Sequence, residues 1–211
     1  MTVAGPDAFE FLQGQLSNDL GRLETAAEIP SAWCNPKGRV IWFGTVRSIE
    51  AGFRLSVPAE ITDLILQRLT LFRFRSKVEF DILEEGVSVD PGSQIRDGYP
   101  YIGADQTEQF TPHMLNLDLL DAISFDKGCY TGQEIVARTH YKGATKRRTL
   151  RFESAAPVAA GDKVLLDGRE IGTVLNVAGN DLLAVVPVAK ADKDLQVDGS
   201  RLTRASIPYD V

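Results

Sequence analysis

From Thr145 onward the chain reads as short β-prone runs separated by turn residues, and few folds accommodate that pattern. The runs are Thr149 to Phe152, Lys163 to Leu166, Ile171 to Val177, Leu182 to Val188 and Ser200 to Thr203. Short strands at this spacing, with turn signals between them, point to a small β-barrel. Asp167-Gly168 has the composition of a two-residue hairpin turn, because both residue types tolerate the positive φ that such a turn requires. The character of the sequence changes after Lys142-Gly143, so a boundary is expected near residue 144. Residues 1–144 then form one domain and residues 145–211 a C-terminal β-barrel domain.

The first domain mixes helical and strand signals, which makes the fold class α+β. Gly5-Pro6-Asp7 reads as a helix start, followed by Phe9, Leu12 and Leu16 at helical spacing and by Gly21 as a stop. Asn35-Pro36-Lys37-Gly38 is turn chemistry between two strands, the second beginning Arg39-Val40-Ile41-Trp42-Phe43. Phe53 to Val57 reads as a further strand. Pro58 opens a helix through about Phe72, with Ile61, Leu64, Ile65, Leu69 and Phe72 on one face. Lys77 to Leu83 alternates as a strand, and Asp90 to Phe110 reads as loop.

Composition excludes several classes. With 44% apolar and 25% charged residues, the 211-residue chain has the balance of an ordinary globular protein. No apolar run approaches the length of a membrane span, and the N-terminus lacks the pattern of a signal peptide, so a cytoplasmic location is expected. Two cysteines, Cys34 and Cys129, and two histidines, His113 and His140, lack the close-spaced pairs of a structural zinc site, so no metal site is expected. The net charge is −6, yet Arg138 to Arg151 holds six basic residues and no acidic one. Such a strip suits either an anionic ligand or partner, or a solvated linker.

The segment Asp126-Lys127-Gly128-Cys129-Tyr130-Thr131-Gly132-Gln133-Glu134 carries the chemistry. Thr131 and Glu134 have the spacing of a capping box, so a helix is expected to begin there and to continue through Ile135, Val136 and Ala137. Cys129 then precedes a helix N-terminus, where unpaired N–H groups favour a thiolate, and Lys127 adds a cation two positions away. Gly128 and Gly132 let a ligand approach the backbone, and the helix start suits a carboxylate or phosphate. The bland alternative is that Cys129 is a small buried hydrophobe. No histidine or asparagine is placed to serve as its base, so a Cys–His hydrolase is not expected.

Lys127 to Glu134, Lys-Gly-Cys-Tyr-Thr-Gly-Gln-Glu, resembles the signature of the folate-binding YgfZ family, relatives of the glycine-cleavage T-protein aminomethyltransferases. Phe110-Thr111-Pro112-His113-Met114-Leu115-Asn116-Leu117 and Lys142-Gly143-Ala144-Thr145-Lys146-Arg147-Arg148 match the flanks. Phe11-Leu12-Gln13-Gly14-Gln15-Leu16-Ser17-Asn18-Asp19, Trp33 to Arg39, and Ile95 with Gly98 and Pro100 extend the resemblance over nearly the whole chain.

The resemblance implies a T-protein-like folate-binding body with a C-terminal β-barrel. It also implies tetrahydrofolate as ligand, with iron–sulfur assembly proteins or client iron–sulfur enzymes, one of them tRNA-modifying, as partners. The expected working residues are Cys129 with Lys127. The expected ligand-binding set is Tyr130, Gly132, Gln133, Glu134, Trp42 and Arg147, and the basic strip with Arg147 and Arg148 suits either the glutamate tail of a polyglutamylated folate or an acidic partner protein. The aminomethyltransferases carry paired aspartates on the strand after the Asn-x-x-Gly turn. Here that strand reads Val40-Ile41-Trp42-Phe43, so proton transfer at the folate amine loses its agent and a classical enzyme is not expected. The first strand is either missing or reduced to Thr2-Val3, and Asp90 stands where relatives can place a Trp near the folate. The competing readings are a folate-dependent one-carbon transferase and a tRNA-binding module using Arg138 to Arg151.

Overall fold

The Asn35–Gly38 turn joins two strands of an antiparallel sheet, and that sheet organises the first half of the protein. The computed structural model describes residues 1–83, 89–143 and 145–211. The sheet is built from β1 (Thr2–Ala4), β2 (Ile29–Cys34), β3 (Val40–Ile49), β4 (Gly52–Leu55) and β5 (Glu79–Asp81) in the order β2-β3-β4-β1-β5. The reduced first strand is therefore present, and it pairs with β4 on one side and β5 on the other. Helices α1 (Ala8–Gln13) and α2 (Thr62–Phe72) supply Phe11, Leu12, Ile65 and Leu69 to a core shared with Val3, Trp33, Trp42, Val46 and Leu55. Each such side chain withdrawn from water contributes about 1.5–3 kcal/mol.

Several elements differ from the sequence expectation, each for a local reason. The first helix ends at Gln13, not near Gly21. Leu16 leaves the helix to bridge Trp33, and the Ser17 hydroxyl bonds Ala122 O (2.7 Å) and Ala32 N (2.9 Å). These distant partners outbid a further helical turn, and Leu20–Glu24 instead forms a 3-10 turn. The strand expected over Lys77 to Leu83 is shorter, Glu79–Asp81. The loop expected from Asp90 contains α3 (Pro91–Arg96). Asp90 caps it by accepting from Gly92 N (3.2 Å) and Ser93 N (3.0 Å), and proline at the first turn is pre-set for helix. A fourth helix, α4, runs Gln133–Lys142.

The barrel comprises β6 (Arg147–Ser154), β7 (Lys163–Leu166), β8 (Arg169–Ala178), β9 (Asp181–Pro187), β10 (Gln196–Val197) and β11 (Ser200–Ala205). It closes in the order β10-β11-β6-β9-β8-β7 around Leu150, Phe152, Val164, Val174, Leu182 and Val197. Closure removes exposed strand edges. Asp167 (φ 51°) and Gly168 (φ 73°) form the β7–β8 hairpin turn, as their composition predicts. The two-residue β10 is the strand the pattern did not reveal.

The described residues up to 83, with Ile102–Pro112 and Leu120–Arg138, form one compact unit. Those from 89 to 101, with His113–Leu119 and the described residues from Thr139 on, form the second. The boundary expected near residue 144 falls on a position outside the described residues. Among the described residues no helix is long and apolar enough to cross a membrane.

Candidate functional site around Cys129

Lys127 fixes the signature loop. Its ammonium donates to three backbone carbonyls: Gln13 O (2.7 Å), Leu16 O (2.7 Å) and Asn18 O (3.0 Å). An ammonium has three N–H donors, so all of them are used. The Gln13 acceptor exists because α1 stops there and leaves its last carbonyl without a helical partner, and Leu16 and Asn18 follow in the irregular segment beyond it. Burial lowers the Lys127 pKa to about 8, opposed by the nearby Asp19 charge, so the side chain is still cationic at neutral pH. The Tyr130 ring lies 5.3 Å from the Lys127 nitrogen, and the buried phenol is held protonated by desolvation.

The entry to α4 is fixed by close packing. Gly132 has φ +83°, and a Cβ there would lie 2.5 Å from Asn35 O and 3.1 Å from Cys34 Cβ. Gly38 (φ +67°) is its counterpart, since a Cβ would meet Ile135 at 2.8 Å. The Asn35–Gly38 turn therefore presses directly on the start of α4. Asn35 closes that turn by accepting from Lys37 N (2.9 Å) and Arg39 N (3.0 Å). Its amide donates to Glu108 Oε1 (2.8 Å), and Glu108 Oε2 accepts from Arg68 (2.8 Å). The Arg68 and Asn35 bonds hold the Glu108 carboxyl below the usual carboxylate range.

The expected capping box does not form. Helix α4 begins at Gln133, the Thr131 hydroxyl lies 3.3 Å from Gln15 Oε1, and Glu134 pairs with Arg138 one turn on (2.7 Å). Once Gly132 turns the chain at positive φ, the spacing from Thr131 to the first helical N–H groups no longer matches a cap.

The two thiols sit in opposite settings. Cys34 is fully buried, and desolvation pushes its pKa up to about 12, so it stays a thiol. Cys129 is exposed, between the anchored Lys127 and the buried Tyr130. The reading of Cys129 as a buried hydrophobe is thereby excluded.

The remaining expected residues are dispersed. Trp42 is 1% exposed, lies within the core, and donates its indole N–H to Ser56 O (2.9 Å), so neither ring face is offered to a ligand. Gln133 opens α4, and Glu134 is exposed beside Arg138. Arg147 lies on β6 and donates to Ile171 O within the barrel. Half of the basic strip is neutralised. Arg148 is bidentate to Asp118 (2.7 and 2.9 Å), Arg151 is bidentate to Asp181 (2.8 Å each), and Arg138 pairs with Glu134. Lys142 and Lys146 alone in the strip are exposed without a carboxylate partner among the described residues. Spacing alone did not reveal Glu108, Asp118 or the three carbonyl acceptors of Lys127. Their partners are distant in sequence.

The family described as CAF17, C-terminal beta-barrel domain, matches residues 146–209, the segment that forms the closed barrel. A tRNA-modifying protein YgfZ from Serratia proteamaculans is 39% identical over 58% of this chain and 39% of that protein. A second, from Pectobacterium atrosepticum, is 28% identical over all of this chain and 89% of its own length. The chain is similar to YgfZ proteins from end to end. The Pectobacterium alignment extends over 296 positions against 211 residues here, so that YgfZ protein carries segments this chain lacks. The glycine cleavage system aminomethyltransferase T from Bartonella henselae superposes with a TM-score of 0.79 at 17% identity, covering 98% of this chain and 82% of that one. That likeness shows the T-protein-like fold expected from the sequence.

Proposed function

We propose that this YgfZ-like chain is a tetrahydrofolate-binding accessory protein that supports assembly or repair of iron–sulfur enzymes, tRNA-modifying ones among them, through the thiol of Cys129. The observation that carries the reading is an exposed thiol on a loop held at both sides. Lys127 anchors one flank on three carbonyls, and buried Tyr130 with the Gly132–Asn35 contact anchors the other. A thiol presented in this way suits a soft partner, such as cluster iron or a sulfur-bearing thiol of a partner protein. One cysteine does not hold a cluster alone, since clusters take about four protein ligands, so the partner supplies the rest.

The folate part rests on the signature resemblance and the T-protein-like fold. Of the side chains expected to bind it, Trp42 and Tyr130 are spent on packing, Gly132 is pressed on Asn35 and Arg147 donates within the barrel. These four are engaged in the protein's own packing, so a folate would rest on other surfaces of the T-protein-like body, and no step is routed through it. Gln133 and Glu134 keep polar groups near solvent. Aminomethyl transfer is not proposed, because β3 carries no acidic residue and Glu108 beside it is tied to Arg68 and Asn35. Direct tRNA binding through Arg138 to Arg151 is not proposed either, because Arg148 and Arg151 are committed to Asp118 and Asp181.

Calorimetric titration with tetrahydrofolate, on wild type and Cys129→Ser, tests the division of labour. Equal binding in both is expected. Binding lost only in the variant, or absent from both folded proteins, overturns it.

A further inference from the structure

Three metal-ligating side chains converge in the second unit, away from the Cys129 loop in sequence. His113, Asp118 and His140 each offer one ligand atom, and these atoms all lie within 4.8 Å of one another. His113 is 2% exposed in the 3-10 turn Pro112–Leu115, and His140 is exposed near the end of α4. The two imidazole rings stand 6.1 Å apart, and His140 is braced edge-on by Tyr141 at 4.9 Å.

We infer that His113, Asp118 and His140 form a binding site for a borderline divalent cation of the zinc class, with solvent completing the coordination. Two imidazoles and one carboxylate are a donor set that suits Zn²⁺ and its first-row neighbours, and three protein ligands leave a position open. Tetrahedral coordination with bonds of about 2.05 Å places ligand atoms roughly 3.3 Å apart. The site therefore has to contract by an ångström or so, a movement that His140, exposed near the end of its helix, makes by rotating its side chain. The other half is held in place. Arg148 donates to His113 O (3.2 Å) and to both oxygens of Asp118, so it fixes the spacing of two ligands.

Arg148 also limits the affinity. It takes one lone pair from each Asp118 oxygen and leaves the others for a metal, but its positive charge opposes a dication. Micromolar binding is expected instead of the far tighter binding of a closed structural zinc site. A bound cation clips the end of α4 to the His113–Asp118 segment and presents an open coordination position to solvent.

The test is titration of the tag-free chain with Co²⁺, read by visible absorption, followed by displacement with Zn²⁺. Wild type and Cys129→Ser are expected to bind one equivalent with the d–d bands of a low-coordinate site. His140→Ala is expected to lose at least tenfold in affinity while unfolding at an unchanged temperature. The inference is overturned if wild type binds no Co²⁺ at millimolar concentration, if His140→Ala binds as wild type does, or if Cys129→Ser abolishes binding.

Discussion

Replacing Lys127 by methionine keeps the apolar stem and removes the ammonium, leaving the carbonyls of Gln13, Leu16 and Asn18 without their shared donor. Hydrogen bonds to a charged group contribute about 1.5–3 kcal/mol each, which sets a gross loss near 4.5 kcal/mol at the lower bound. Two effects reduce it. The variant no longer desolvates an ammonium, and Lys127 is only partly buried, so water reaches some of the freed carbonyls. A net loss of about 2–3 kcal/mol remains, or roughly 4–12 °C in the melting temperature of a chain this size. The loop should also loosen, so Cys129 should react faster with a disulfide reagent under native conditions. Differential scanning calorimetry and a stopped-flow thiol assay read both effects. A melting temperature within 2 °C of wild type, with unchanged thiol kinetics, would refute the idea that Lys127 positions the loop.

The pH dependence of stability carries the same residue's signature with a definite sign. Lys127 titrates at about 8 when folded, against 10.5 for an ordinary lysine, so between these values the unfolded chain holds a proton that the folded chain has released. This titration therefore adds stability as pH rises from about 8 to 10.5 and adds none below 8, and denaturant titrations should show that rise in wild type but not in Lys127→Met. Gly132→Ala forces a Cβ to within 2.5 Å of Asn35 O at a positive φ, and thermal unfolding should show a loss of about 2–4 kcal/mol. Arg148→Met breaks a pair whose side chains are 15% and 8% exposed, and should cost about 3–5 kcal/mol in chemical denaturation. Arg138→Ala breaks an exposed helical pair and should cost less than about 0.5 kcal/mol in the same experiment.

The barrel was legible because its signals are local. Alternating apolar residues and the Asp167-Gly168 turn act over a few positions, whereas β10, with two residues, is too short for any periodicity to register. Leu16 continues the helical spacing and so lengthens the expected α1, while its real partner is Trp33, brought in by the sheet. Lys127 looked like a cationic neighbour of Cys129 because sequence shows adjacency only, and its acceptors lie 109 to 114 positions away. The basic strip misled in the same way. Its charges are contiguous, but Asp118 and Asp181, which neutralise two of them, each lie 30 positions from their arginines. Trp42 could be read as core or as a stacking surface until burial decided for core. The signature implies a working role for Cys129, whereas its exposure and the contacts that hold its loop are visible only in the fold.

The most direct test of the account replaces the native gene in cells by the Cys129→Ser form and measures, by mass spectrometry of tRNA nucleosides, a modification made by an iron–sulfur enzyme. The account predicts that the variant accumulates as folded protein with wild-type folate binding, yet leaves the modification as depleted as a deletion does. Full restoration of the modification by Cys129→Ser would contradict it.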